Sequence, residues 1–503
     1  MKVADRSDSY LGKRPEIAGI GFTLALVFAC FTLASTSYLA WLYRLLECAP
    51  SAPVEAITMV GGYSFQAIGI GLACAAMRVR PDFARRVPFI TVIAIHFACA
   101  AATMLAGTYE ILLALGFTMN NLYGVICAFY LNRLARWVPR NHRGLAFGGG
   151  YACSVITTWA LSVAQGGSPL GTTESVVVCA VLSLVAMGLI AVSHKARAIA
   201  PPNDTSNGNK PAKASADFRR EKAGAEMQPF ANANSPADNK RKQDGNTART
   251  AAGILSLACI TVLLLSLVKN VGFGFPSTDL VAGISLETSR LFYAAGLLIA
   301  GFIADVNRKY AALCCIAALV FPFGCLALAN EPIPGTILWA VDYLFYGFFS
   351  VYRVVLFCDI AEDLGREHIA GFGLLFGRIG DALGTALWLA LSTSIVALVA
   401  VAAVLFAATI FAFYHLFLRL YPALPAPSKS DQERFESFTA AYGISVRERE
   451  VLRLLLAERT NAEIAAELFV TEGTVKYHVH NLFKKTGCTS RRELIAKFAE
   501  ETR

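Results

Sequence analysis

The stretch SVVVCAVLSLVAMGLIAVS, residues 175–193, contains no charged residue and no proline. An α-helix rises 1.5 Å per residue, so an apolar run of about 20 residues crosses the roughly 30 Å hydrocarbon layer of a bilayer. Inside that layer each backbone N–H and C=O needs a partner within its own segment, which makes the run a helix. Working outward, similar runs lie near residues 17–42, 54–77, 87–106, 109–131 and 144–165. Six more follow near 251–271, 288–304, 311–329, 336–358, 370–391 and 394–418. The expected fold is all-α, a polytopic membrane bundle of six plus six helices. Composition agrees: 55% of the 503 residues are apolar and 16% are charged, against roughly 25% charged in ordinary soluble domains. The first run is too long for a signal-peptide core and reads as a retained membrane helix.

Residues 195–249 separate the two sets. They are rich in Asn, Asp, Lys, Pro and Ser, with Phe218 and Phe230 almost the sole large apolar residues. Such a segment cannot bury enough surface to fold, so 194–250 is expected to be a disordered linker. Its basic residues, among them Arg219, Arg220, Lys240, Arg241 and Lys242, also suit anionic headgroups. Orientation follows from Lys and Arg in the short loops. One loop carries Arg78, Arg80, Arg85 and Arg86, a second Arg133, Arg136, Arg140 and Arg143, and a third Arg308 and Lys309. The alternate loops are nearly free of them: 166–173 has none, and 330–335 has only Glu331 as a charge. The basic loops are expected in the cytoplasm of a cell (inner or plasma) membrane protein. An even number of spans then places both termini and the linker there.

Nearly all of the 13 cysteines lie inside apolar runs, and none forms a C-x-x-C pair. They read as small buried hydrophobes, with no disulfide framework and no metal site. No H-E-x-x-H, Walker motif or nucleophile elbow is present, so neither an enzyme nor a cofactor is expected.

After Pro422, Pro425 and Pro427 the composition becomes that of a soluble helical domain. A connector at 422–442 places Phe435, Phe438 and Tyr442 on one helical face. Ser445–Glu448, Thr460–Glu463 and Ser490–Glu493 have the spacing of capping boxes, and Thr471 that of a simple N-cap. These starts define a four-helix module over 443–503. Its second helix spans about 461–468, its third about 472–486 and its last about 491–501. On the third, Val475, Val479 and Leu482 form an apolar face, while Lys476, Tyr477, His480 and Lys484 lie opposite. One buried face and one polar, basic face after a short turn is the helix-turn-helix arrangement. Charge alone does not reveal it: residues 428–503 hold 13 Lys or Arg against 12 Asp or Glu.

Two resemblances follow from these residues. Arg447-Glu448-Arg449-Glu450-Val451-Leu452, Glu463-Ile464-Ala465 and Glu472-Gly473-Thr474-Val475-Lys476-Tyr477-His478-Val479 resemble the signature of LuxR-type DNA-binding domains across about 443–500. The resemblance implies that double-stranded DNA is the partner. It implies that Lys476 contacts phosphate or a base edge, Tyr477 and His480 face the major groove, Thr471 and Thr474 contact phosphates, and Lys484 lies on the flank. It also implies a dimer on DNA, formed through the last helix. The six-plus-six pattern over about 15–420, split into halves 1–193 and 251–421, resembles the major facilitator superfamily. Gly301-Phe302-Ile303-Ala304-Asp305-Val306-Asn307-Arg308-Lys309 is similar to that family's loop motif G-x-x-x-D-x-x-x-R-K, which latches one closed state. Asp305 is expected to pair with Arg308 or Lys309 or to cap the next helix. The first-half copy, at 78–86, keeps only the positive charge.

Ionisable residues inside apolar helices cost about 2–3 kcal/mol or more each, so they need a partner or a purpose. Asp342 and Arg353 lie on the tenth helix, and Arg378 and Asp381 on the eleventh. They read either as a self-neutralising structural cluster or as a pocket for an unknown small anionic or polar ligand, anchored by Arg353 or Arg378. Lys269 and Asn270 read as interfacial, and His96 as a satisfied buried group. Gly373-x-x-x-Gly377 and Gly380-x-x-x-Gly384 read as sites of close helix packing. The chain is therefore expected to be a bilayer-embedded transcription regulator that senses a small molecule and binds DNA. The alternative is a facilitator-type transporter carrying a regulatory DNA-binding module.

Overall fold

The computed structural model describes residues 8–54, 56–164, 170–199, 236–273, 286–319, 332–421 and 429–501. Expectations placed on residues 200–235, 165–169, 320–331 and 422–428 lie outside the described residues. These cover the centre of the linker, parts of two outer loops, the second half of the ninth helix and most of the proline-rich stretch.

The membrane domain comprises α1 (Asp8–Cys48), α2 (Tyr63–Val79), α3 (Arg86–Leu105), α4 (Tyr109–Trp137), α5 (Arg143–Ala164) and α6 (Thr172–Ile199). The second half comprises α7 (Pro236–Phe273), α8 (Leu286–Val306), α9 (Arg308–Ala317), α10 (Pro332–Asp363), α11 (Phe372–Leu391) and α12 (Ile395–Leu420). A short π-helix, Ala56–Gly62, leads into α2. Among the described residues, nine helices are long and apolar enough to cross a membrane. Helices α6 and α7 run further than expected, to Ile199 and from Pro236, into the stretch read as linker.

Packing repeats with a shift of six helices. Helix α1 meets α5 and α6, as α7 meets α11 and α12; α2 meets α4, as α8 meets α10; α3 meets α4, as α9 meets α10. The halves join through α5 on α8 and α2 on α11, again related by the same shift. Glycine makes the first of these joints possible. A Cβ on Gly301 would lie 2.7 Å from the Gly144 carbonyl oxygen, and one on Gly144 would strike the Gly301 carbonyl. Helix α11 uses its four glycines on two neighbours: Gly380 and Gly384 rest on the α7 backbone at Leu263 and Leu267, and Gly373 and Gly377 on Arg353 of α10.

The C-terminal unit comprises α13 (Lys429–Ala441), α14 (Val446–Leu456), α15 (Asn461–Leu468), α16 (Glu472–Thr486) and α17 (Arg491–Glu501). It has its own core of Val451, Leu452, Leu455, Ile464, Val475, Leu482 and Leu494. The segment expected as a connector contributes to it. Phe435 and Phe438 of α13 are buried there, with the Phe438 ring 5.1 Å from that of Phe498 on α17. The connector is therefore a helix packed onto the four-helix module.

Candidate functional site

The helix-turn-helix is built from caps. Ser445 with Glu448 and Thr460 with Glu463 form both halves of their capping boxes. At the third site Ser490 Oγ accepts from the Glu493 N–H at 3.2 Å, but the Glu493 carboxylate accepts from the N–H and hydroxyl of Thr489, each at 2.7 Å. That box is shifted by one residue. Thr471 Oγ1 accepts the Thr474 N–H at 3.2 Å and lies 2.9 Å from the Thr474 hydroxyl. Between α15 and α16, Phe469 takes a left-handed conformation, φ 56°, and the Val470 N–H closes the turn on the Ala465 carbonyl at 3.0 Å. This geometry usually falls to glycine. Here it leaves the Phe469 ring exposed, with its centroid 5.5 Å from that of Tyr310 at the start of α9.

Helix α16 buries Val475 and Leu482 and half-buries Val479. Thr471, Lys476, Tyr477, His480 and Lys484 are exposed on its other side, with Thr474 half-buried between them. Lys476 Nζ lies 3.6 Å from Glu472, a solvent-exposed pair that a phosphate can displace. The remaining lysine of the helix, Lys485, reaches across to the neighbouring helix. Its Nζ donates to Glu448 at 2.6 Å and to the Gly443 carbonyl at 2.9 Å, fastening α16 to α14.

Burial pushes the Glu448 carboxyl up, but hydrogen bonds from Lys485 and Ser445 outweigh it and hold the group below the ordinary 4.5. A carboxylate with a depressed folded-state pKa contributes stability above its unfolded value and loses it as pH falls through the folded value. Thermal unfolding of residues 429–501 should therefore show a loss of stability below about pH 4.5. Glu448→Gln should flatten that dependence, and equal slopes in the two proteins would refute the linkage.

In the membrane, Asp381 of α11 is the hub. Its Oδ1 receives Lys269 Nζ at 2.9 Å, and its Oδ2 lies 3.2 Å from Arg378 Nη1 and 3.7 Å from Arg353 Nη1. Lys269 also donates to the Tyr346 hydroxyl at 2.9 Å. Asn270 donates to the Asp381 carbonyl at 2.7 Å. The sequence reading placed Lys269 at the outer interface, and the structure corrects this: it is 3% exposed and is the nearest cation to Asp381. Its signal was spacing, since Val262, Ser266 and Lys269 share one buried face of α7. Three of the four expected charges come together. The fourth, Asp342, is fully buried with neither carboxylate oxygen hydrogen-bonded, and it makes no ion pair among the described residues.

A cavity of about 180 Å³ lies beside this hub, lined from the first half by residues of α1 to α5, including Tyr38, Tyr63, Gln66, His96 and Tyr151. Arg378 is the second half's one contribution. The expected pocket residues Asp342, Arg353 and Asp381 do not line it. His96, expected to be satisfied, is buried with Nδ1 lacking a hydrogen-bond partner.

A second charge network spans the halves at the basic end. Asp359 accepts from Arg143 Nη1 and Arg308 Nε, each at 2.8 Å, and lies 3.3 Å from Arg140 Nε. Arg140 also meets Asp363 at 2.9 Å, Arg143 meets Glu362 at 2.8 Å, and Arg136 meets Glu367 at 3.0 Å. Asp305 accepts the N–H groups of Gly144 and Leu145, both at 2.7 Å. It caps α5 in the opposite half rather than α9, the next helix, and lies 3.3 Å from Arg308. Arg136, Arg140 and Arg143 are read from the sequence for orientation alone and Arg308 as a partner of Asp305; the acidic partners on α10 and in the loop after it were missed.

Comparison with known proteins places both parts. The model of the family "Bacterial regulatory proteins, luxR family" matches residues 443–498. The spore germination protein GerE of Bacillus subtilis is 41% identical over 54 residues, which is 11% of this chain and 73% of GerE. The CsgBAC operon transcriptional regulatory protein of Escherichia coli is 39% identical over 67 residues, 13% of this chain and 31% of that protein. For the nitrate/nitrite response regulator protein homolog of Haemophilus influenzae the figures are 42% over 57 residues, 11% of this chain and 27% of that protein. The chain thus spans under a third of the latter two. The crystal structure of the fucose:proton symporter FucP of E. coli aligns with a TM-score of 0.51 at 12% identity, covering 80% of this chain and 99% of FucP. That likeness is one of fold, and it gives the membrane domain a major-facilitator-type architecture. Through its C-terminal helix-turn-helix the chain belongs to the luxR family of bacterial regulatory proteins.

Proposed function

We propose that the protein is a one-component transcription regulator held in the cell membrane, with both termini and the linker in the cytoplasm. Its membrane domain senses a small molecule, and its C-terminal domain binds double-stranded DNA through α16, as a dimer formed through α17. The observation that carries the reading is the union of a luxR-family domain with a twelve-helix bundle in one chain. The cavity and Asp381 supply a route between them. Arg378 faces the cavity and pairs with Asp381. Asp381 holds Lys269 of α7, and α7 packs on α12, the helix that runs toward the DNA-binding unit. Two-state rocking of the halves about a central site is the motion this architecture offers, and a ligand shifts it by its differential affinity for the two states.

On this reading Lys476, Tyr477 and His480 face the major groove, Thr471 and Thr474 approach phosphates, and Lys484 lies on the flank. The test uses full-length protein in nanodiscs and DNA selected from random sequence. Lys476→Ala should weaken binding by about 1–3 kcal/mol with relaxed sequence preference if it touches a base edge. If it touches phosphate alone, the loss should be uniform across sequences, and the salt slope should fall by about one unit. A folded wild-type protein that selects no DNA at low salt refutes the DNA-binding reading. A reporter whose transcription ignores every variant of the cavity refutes the sensing part.

A further inference from the structure

We propose that the cavity between α1 to α5 and α11 binds a small, flat organic monocarboxylate whose charge is received by Arg378. The proposal deepens the sensor reading by naming the class of ligand.

Charge is the first argument. Lys269, Arg353 and Arg378 converge on one carboxylate, Asp381. Even with the buried Asp342 counted as ionised, the cluster holds three cations for two carboxylates. Arg353 Nε and Nη1 have no hydrogen-bond partner, so the positive charge is under-compensated. Uncompensated charge deep in a bilayer is costly, and an anion placed next to it removes part of that cost. Arg378 is the one member of the cluster that lines the cavity. Among the described residues it makes one hydrogen bond, from Nη1 to Asp381 at 3.2 Å, so further guanidinium N–H groups remain for a ligand. No carboxylate lines the cavity, which disfavours an organic cation.

The second argument is independent of charge. His96 is 1% exposed, lines the cavity, and has Nδ1 without a partner. A buried polar atom of this kind is costly unless a ligand or water meets it. It supplies a second polar anchor, on α3.

Shape and size complete the class. Phe31 and Tyr151 stack at 3.8 Å, and the Arg378 guanidinium lies 4.5 Å from the ring centre of Tyr63, so the walls are aromatic faces. At 180 Å³ the cavity slightly exceeds the roughly 150 Å³ known to hold benzene. One ring with one carboxylate fits. A polyhydroxylated neutral ligand is poorly served. Gln66 Nε2 donates to Asn120 Oδ1 at 2.7 Å, and Asn120 Nδ2 to the Gly116 carbonyl at 2.9 Å, so these amides are already engaged.

The experiment is direct binding to full-length protein in lipid nanodiscs, by calorimetry, with benzoate, benzamide and benzylamine as probes and no DNA present. Benzoate should bind saturably at one site, benzamide about tenfold or more weaker, and benzylamine not at all, since only benzoate makes the charge-assisted bond. Arg378→Gln should abolish the preference for benzoate over benzamide, and Arg378→Lys should keep it. If Arg378→Gln fails to insert, the ligand order on the wild-type protein decides alone. The proposal is overturned if benzamide or benzylamine binds as tightly as benzoate, or if benzoate shows no saturable binding up to about 10 mM. Because DNA is absent, the two readings fail separately. Benzoate binding with no change in transcription overturns the sensor, while a transcriptional response to a neutral ligand that fills this cavity overturns the monocarboxylate.

Discussion

Replacing Asp381 with alanine is expected to destabilise the membrane domain by about 3–5 kcal/mol, the cost of removing one partner from a buried ion pair. The carboxylate is 1% exposed and is shared by Lys269, Arg353 and Arg378, so its loss strands three cations at once. From the sequence alone, with Asp381 read as one of four buried charges around a ligand pocket, the variant would be expected to insert normally and lose its response. With Lys269 and Arg353 on the same carboxylate, low membrane abundance is the expected phenotype. The check is immunoblotting of membrane fractions together with thermal unfolding in detergent. Asp381→Asn combined with Lys269→Met should recover part of the loss, because removing both members of a buried pair is far milder than removing one. An Asp381→Ala protein as abundant and heat-stable as wild type would show that the hub carries no structural weight.

Much of the architecture was legible because a bilayer leaves the backbone few choices. Apolar runs of helical length marked the spans, and their number set the six-plus-six division. In the C-terminal unit, the hydroxyl caps at 445, 460 and 471 fixed the starts of α14, α15 and α16 to the residue. What could not be read was which helices face each other. Lys269 and Asp381 are 112 positions apart, and Arg143 and Asp359 are 216. No local rule pairs residues across such distances. The position of Lys269 near the end of an apolar run made snorkelling the natural reading, and only its register with Val262 and Ser266 argued otherwise. Phe435 and Phe438 were seen to share a face, but what that face packs against, Phe498 of α17, was again non-local. Asp305 shows the same limit. Its chemistry as a helix cap was readable, but the helix it caps belongs to the other half.

Removing the carboxylate of Asp359 is expected to open the basic end of the bundle. Its side chain is 5% exposed and receives Arg143, Arg308 and Arg140 from three positions on both halves. Arg143 is itself 1% exposed, so Asp359→Ala leaves a buried guanidinium that keeps Glu362 as its one carboxylate partner among the described residues. Stranding it should cost the closed arrangement about 3 kcal/mol, or roughly a hundredfold in its population relative to an open one. The halves stay joined at this end by Asp305 on the α5 N-terminus and by the Gly144–Gly301 contact. Local opening rather than global unfolding is therefore expected. Hydrogen exchange of the full-length protein in nanodiscs should accelerate in the first turn of α5 and at the α8–α9 junction, and remain unchanged in the α7–α11 contact. Because Tyr310 follows that junction and meets Phe469, the turn between α15 and α16 should gain exchange as well. Acceleration at the α8–α9 junction without any at Phe469 would mean that the rim moves independently of the DNA-binding unit. Exchange unchanged at both places would show that Asp359 does not hold the halves together.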